Sequence, residues 1–240
     1  MQELKTPINY PECAETLKKL LGLKDSPVAV RFAANKDAIP AGIPEIGENM
    51  RHCMMVSAAR KESKIFYATS KGHTCNGGAW ALGLREITDS LKSGLFYYKN
   101  LGKFESTSSC KRIIDRLPHL ESGSTYATMY APLEKTPFDP HVVIIVSSPL
   151  VMLKLAQSSI FRMGGRIRPE FSGIQSLCSD TCVQPLLTGE PNFSLGCDGS
   201  RYFSKINDDE MVMGFPVELL PEIVHGLKIV TAASGSVKPV

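Results

Sequence analysis

Residues 141–150 read HVVIIVSSPL. Val142 to Val146 is an unbroken run of β-branched residues, which predicts a strand buried on both faces in the interior of a sheet. Ser148 and Pro149 form a helix start, a serine at the N-cap and a proline at the first helical position. The pattern carries that helix to about Met163, where Gly164 and Gly165 stop it. A central strand turning directly into a helix points to a sheet with helices packed against it.

The flanking sequence extends this pattern in both directions. Residues Pro11 to Leu21 suit a first helix, with Leu17, Leu20 and Leu21 on one face and Gly22 as its stop. Strands are expected at 27–32 (PVAVRF), 64–69 (KIFYAT), 126–130, up to about Leu195, and at 211–215. Helices are expected at 51–60, 79–91, 108–116, around Cys178 to Leu187, and at 216–227, the last closed by Gly226. Residues 36–49 hold two prolines and two glycines and read as a loop. The fold class is α/β or α+β, a mixed β-sheet flanked by helices in a single main domain over 1–233, with 234–240 a flexible C-terminal tail.

The totals narrow the functions. The chain has 240 residues, 43% apolar and 21% charged, as in an ordinary globular protein. A net charge of +3 without a long Lys/Arg run gives no reason to expect nucleic acid as a partner. The most apolar stretch, 141–156, contains Ser147, Ser148, Pro149 and Lys154, so no membrane span is expected. The start MQELKTPINY has neither a basic nor an apolar leader region, which favours a cytoplasmic location. Seven cysteines, an odd number in a long chain, argue against a disulfide framework and leave packing, metal or redox roles.

The sharpest local feature is HTCNGG, 73–78. A cysteine followed by Gly77 and Gly78 at a helix start would have backbone N–H groups and the positive helix end near its sulfur. A buried cysteine in a glycine turn is an equal competitor. Cys197 sits between Gly196 and Gly199 just after a strand, with Arg201 positioned to balance negative charge; a plain glycine turn competes with this reading. Cys178 and Cys182 would share a helical face, but their spacing is not the two-residue gap of zinc ribbons or thioredoxin-like sites. Cys53, flanked by Arg51 and His52, reads locally as slightly more a core residue than a site residue. Cys13 and Cys110 read as non-functional. His52 and His73 are minor candidates, and Asp208, Asp209 and Glu210 read as a solvated turn. Phosphate-loop, dinucleotide, serine-hydrolase and zinc-protease motifs are absent from the sequence.

The stretches LLGLKDSPVAVRF, RHCMMVSAAR, CNGGAWALGL, YAPLEKTPFDPHVVIIVSSP, FSGIQSLCSDTCVQPLLTGEPNFSLGCDGSRYF and DDEMVMGFP span nearly the whole chain. Through them the chain resembles the archaeal and bacterial family called domain of unknown function 169, or ArCR. The resemblance carries no particular activity. It implies cysteines at the positions of Cys53, Cys75, Cys178 and Cys197, with Cys182 an extra. Some members have cysteine where this chain has Ser200, so that position is not an essential ligand here.

The four contexts and this pattern together lead to the expectation of an iron–sulfur cluster, 4Fe-4S favoured, ligated by Cys53, Cys75, Cys178 and Cys197. Gly77, Gly78, Gly196, Gly199 and Arg201 would surround it. A redox role follows, with a possible redox partner protein and a possible homo-oligomer. Two alternatives stay open. One is a thiol-dependent enzyme with Cys75 as nucleophile, assisted by His73 or Arg201. The other is a structural zinc module.

Overall fold

A computed structural model describes residues 7–234. Six strands form one sheet: β1 (Val28–Ala33), β2 (Phe66–Thr69), β3 (Ala127–Pro132), β4 (Val142–Ser147), β5 (Asn192–Ser194) and β6 (Met211–Pro216), in the spatial order β2-β3-β1-β4-β6-β5. Every pairing between these strands is antiparallel. Parallel pairing, the other component of the expected mixed sheet, is confined to two isolated bridges, Glu45 with Tyr67 and Met50 with His73. The architecture is thus α+β. β4 lies between β1 and β6, and its residues Val142 to Val146 are all buried, as an interior strand requires.

Alternation along the strands divides the core between the two faces. Ala29, Met129, Val143, Ile145, Met213 and Phe215 face one layer of helices. That layer is α1 (Tyr10–Leu21), α6 (Pro149–Ser159) and α9 (Leu220–Ser234), and each of the other two packs on α9. Val30, Phe66, Tyr130, Val142, Ile144 and Val212 face the opposite layer. There α2 (His52–Glu62), α3 (Asn76–Ala81) and a π-helix, Ser176–Val183, cover the sheet. The shorter helices are α4 (Asp89–Lys92), α5 (Thr107–Ile114), α7 (Gln184–Thr188) and α8 (Asp198–Ser204).

Several boundaries differ from expectation for physical reasons. The helix expected over 79–91 is broken into α3 and α4. Gly83 adopts φ +73 between them, and a side chain there would also meet Ser124 at 2.8 Å. α6 ends at Ser159, short of Met163. The final helix starts later and runs longer than 216–227; Gly226 lies inside α9, pressed against the Ser158 carbonyl of α6. Of the expected tail, Ser234 closes α9, and 235–240 lie outside the described residues.

The π-helix is held against the sheet by Gly214. A Cβ on Gly214 would stand 1.7 Å from the Thr181 carbonyl oxygen, so the helix backbone rests directly on β6. On the other side of the layer, the buried Arg60 of α2 pairs with Asp25 at 2.7 Å and Glu210 at 2.5 Å. These ion pairs tie α2 to the segments leading into β1 and β6. Glu210 therefore serves as a structural partner and not as part of a solvated turn.

Candidate functional site

The site grows from the parallel bridge between Met50 and His73. Met50 N–H donates to the Gly72 carbonyl and Thr74 N–H to the Met50 carbonyl, both at 2.9 Å. These two bonds lay the approaches to α2 and α3 side by side. Cys53 follows in the first turn of α2, and Cys75 becomes the N-cap of α3, its sulfur accepting the Gly78 N–H at 3.5 Å. Arg85 fixes the loop by donating to Ser70 Oγ (3.1 Å), Asn76 Oδ1 (3.0 Å) and the His73 carbonyl (2.9 Å).

The other two cysteines arrive from the C-terminal half. Cys178 lies in the π-helix, its thiol donating to the Gln175 carbonyl at 3.4 Å. Both its sulfur and that of Cys75 are 3.7 Å from the point where a Cβ on Gly78 would stand. Cys197 is the N-cap of α8, its N–H donating to Ser200 Oγ at 2.9 Å, and α8 packs on α2, where Ser57 Oγ bonds the Ser204 carbonyl. Cys53, Cys75, Cys178 and Cys197 all line one cavity of about 850 Å³. Its other walls are mostly apolar and include Leu91, Phe96, Tyr97, Leu177 and Phe203.

The thiols are close enough to feel one another. Burial pushes the Cys53 thiol up to about 12; a Ser204 hydrogen bond opposes this, and the charges of Cys197 and Cys75 add to it. Burial raises Cys178 well above the usual thiol range, with Cys75, Cys197 and Cys53 contributing next. Cys53 and Cys178 are therefore neutral near pH 7 in the metal-free chain. A cation among them would reverse that balance and release protons. As the side chains stand, no group of three or more His, Cys, Asp or Glu among the described residues is placed to hold a metal ion.

The remaining candidates divide. Gly77, Gly78, Gly199 and Ser200 line the cavity; Gly196 and Arg201 do not. Arg201 instead donates to the carbonyls of Asn207 (2.7 Å), Leu195 (2.5 Å) and Glu210 (3.2 Å), closing the loop after β5. Cys182 is fully buried and does not line the cavity. Cys182 packs instead into the apolar core between the π-helix and the sheet, so of the two only Cys178 reaches the cavity. Cys13 and Cys110 are also outside the cavity lining.

His52 and His73 belong to a buried polar chain that the sequence did not reveal. His52 Nδ1 is 2.8 Å from Tyr130 Oη, which donates to Thr128 Oγ1 at 3.0 Å, and Thr128 Oγ1 is 3.0 Å from His73 Nε2. Burial lowers His52 to about 4 and His73 to about 3, so both rings are neutral. His52 lines the cavity and His73 sits behind it. His73 is thus occupied with Thr128 and is not presented to the cavity beside Cys75. Arg51, Tyr97 and Gln175, which also line the cavity, carried no sequence signal beyond the closeness of Arg51 to Cys53.

The family description "Uncharacterised ArCR", domain of unknown function 169, matches residues 16–226. The chain is 41% identical over 221 residues to "Uncharacterized protein MJ0308" of Methanocaldococcus jannaschii, covering 90% of this chain and 94% of the relative. No solved structure matches. No helix among the described residues is long and apolar enough to cross a membrane.

Proposed function

The chain belongs to the uncharacterised ArCR family, and we propose that it is an iron–sulfur protein with a redox role in the cytoplasm, working with a redox partner protein. Cys53, Cys75, Cys178 and Cys197 would hold the cluster, of the four-iron type. The observation that carries this reading is the convergence of four cysteines, from four separate segments, on one cavity. Soft thiolates select iron–sulfur clusters, Cu(I) and zinc, and single cysteines set in glycine turns suit a cluster that takes backbone N–H donors at its sulfurs. Binding would turn the four sulfurs inward and remove their protons. The Gly78 N–H on the Cys75 sulfur is the kind of contact that tunes a cluster's potential. The apolar walls would limit water around it.

Anaerobic purification followed by iron and sulfide analysis and a visible spectrum tests the proposal. A brown protein carrying iron and sulfide supports it, and a colourless, iron-free protein discards it. Zinc without colour would favour a structural zinc module. A metal-free protein with one fast-reacting thiol at Cys75 would favour a thiol-dependent enzyme, for which the Gly78 N–H contact to that sulfur is the supporting feature.

A further inference from the structure

The four thiols make up only part of the cavity lining, and about 850 Å³ falls within the range of about 300–1,000 Å³ typical of small-molecule sites. Two polar groups in its walls are left without protein partners. The Arg51 guanidinium lies over the Phe203 ring, 4.0 Å from its centroid, and no carboxylate among the described residues pairs with it. The neighbouring cation, Lys103, is by contrast already paired with Asp198. The Gln175 side chain is only 5% exposed, and neither its Oε1 nor its Nε2 has a hydrogen-bond partner. It lies against Gly77 beside the Tyr97 hydroxyl, and that contact, too poor to satisfy the amide, still opposes the upward push of burial on Tyr97.

Buried polar groups in folded proteins are nearly always hydrogen-bonded, and one that is not calls for an explanation. A planar guanidinium with free donors matches a carboxylate, which it binds with two parallel hydrogen bonds. The aromatic wall of Phe96, Tyr97 and Phe203 matches an apolar body. We propose that the cavity binds a small organic carboxylate with an aromatic or other apolar body, its anion on Arg51 and its remaining polar group on the Gln175 amide. The inference rests on the same cavity as the cluster reading, but Arg51 and Gln175 do not depend on iron.

Phenylacetate and its neutral counterpart phenylacetamide test it, by calorimetric titration of the anaerobically purified full chain. Phenylacetate is expected to bind at least about tenfold more tightly than the amide, as loss of a charged hydrogen bond implies. Arg51→Gln is expected to remove that preference and leave the amide unchanged; 4-hydroxyphenylacetate, whose phenol supplies the remaining polar group, is expected to bind more tightly than phenylacetate, and Gln175→Leu to remove that gain. Arg51 is the N-cap of α2 without a side-chain cap bond, so its replacement leaves the helix start intact. Circular dichroism on each variant confirms the fold. No phenylacetate binding, equal binding of the two ligands, or an Arg51→Gln variant that keeps the preference would each overturn the proposal. Iron measured on the same samples separates the two readings. Iron without phenylacetate binding removes the ligand site alone, and phenylacetate binding to iron-free protein removes the cluster alone.

Discussion

Cys75 and Cys178 face the same side of Gly78: a methyl group added there would stand 3.7 Å from both sulfurs. That distance is ordinary van der Waals contact, so Gly78→Ala is expected to fold. As a helical glycine replaced by alanine, it should be unchanged or up to about 1 kcal/mol more stable. The added methyl fills space between two proposed ligands, so iron per folded chain should fall. Urea denaturation together with iron analysis checks both halves; undiminished iron would speak against the cluster position.

Serine replacements sort the seven cysteines. Cys53→Ser, Cys75→Ser, Cys178→Ser and Cys197→Ser should each lose most of the iron. Cys13→Ser and Cys110→Ser should keep it. Cys182→Ser is the informative control, because Cys182 is fully buried yet outside the cavity. It should cost about 1–3 kcal/mol for a buried hydroxyl without a designed partner, while iron per folded chain stays the same.

Tyr130→Phe removes the hydroxyl that joins His52 to Thr128. Tyr130 is completely buried, so no water replaces the lost group. The expected loss is about 1–3 kcal/mol in urea denaturation. Wild-type stability in this variant would mean that the chain of hydrogen bonds contributes nothing.

Gly214→Ala tests the contact that seats the π-helix. The clash is with a backbone oxygen, Thr181, and no side-chain rotation relieves it. A loss of more than about 4 kcal/mol, or failure to fold, is expected. A crystal structure of a folded variant would show the π-helix displaced from β6.

His141 provides a pH test away from the cysteines. Its Nδ1 accepts the Phe32 N–H at 3.3 Å, and burial, then nearby Arg31, hold the ring below the usual value of 6.5, with Glu218 opposing. Below pH about 6.5 the unfolded chain takes up a proton that the folded chain resists. Stability from this residue is therefore present above that pH and lost as pH falls through the folded value. Urea denaturation at pH 7.5 and 5.5 should show a smaller drop for His141→Asn than for wild type; equal drops would remove His141 as a source.

Much of the architecture could be read from residues 141–150, because an interior strand must be apolar on both faces and Ser148-Pro149 can only begin a helix well. The chain ends of helices were less legible. α3 stops at Ala81 because Gly83 turns back against Ser124, a contact made across the fold. That Cys178 reaches the cavity and Cys182 does not depends on how the π-helix is seated on β6 at Gly214, which helical periodicity does not encode.

The sequence alone determined the residue types: β-branched runs that must be buried, glycines beside Cys75 and Cys197, and seven cysteines without a disulfide pattern. Those are local properties, set by side-chain chemistry and backbone preference. Only the tertiary structure decided that Met50 pairs with His73, that Arg51 is left unpaired over Phe203, and that Tyr130 links two histidines. Each depends on segments remote in the chain being packed on one face of one sheet, and the distances that result are set by that packing.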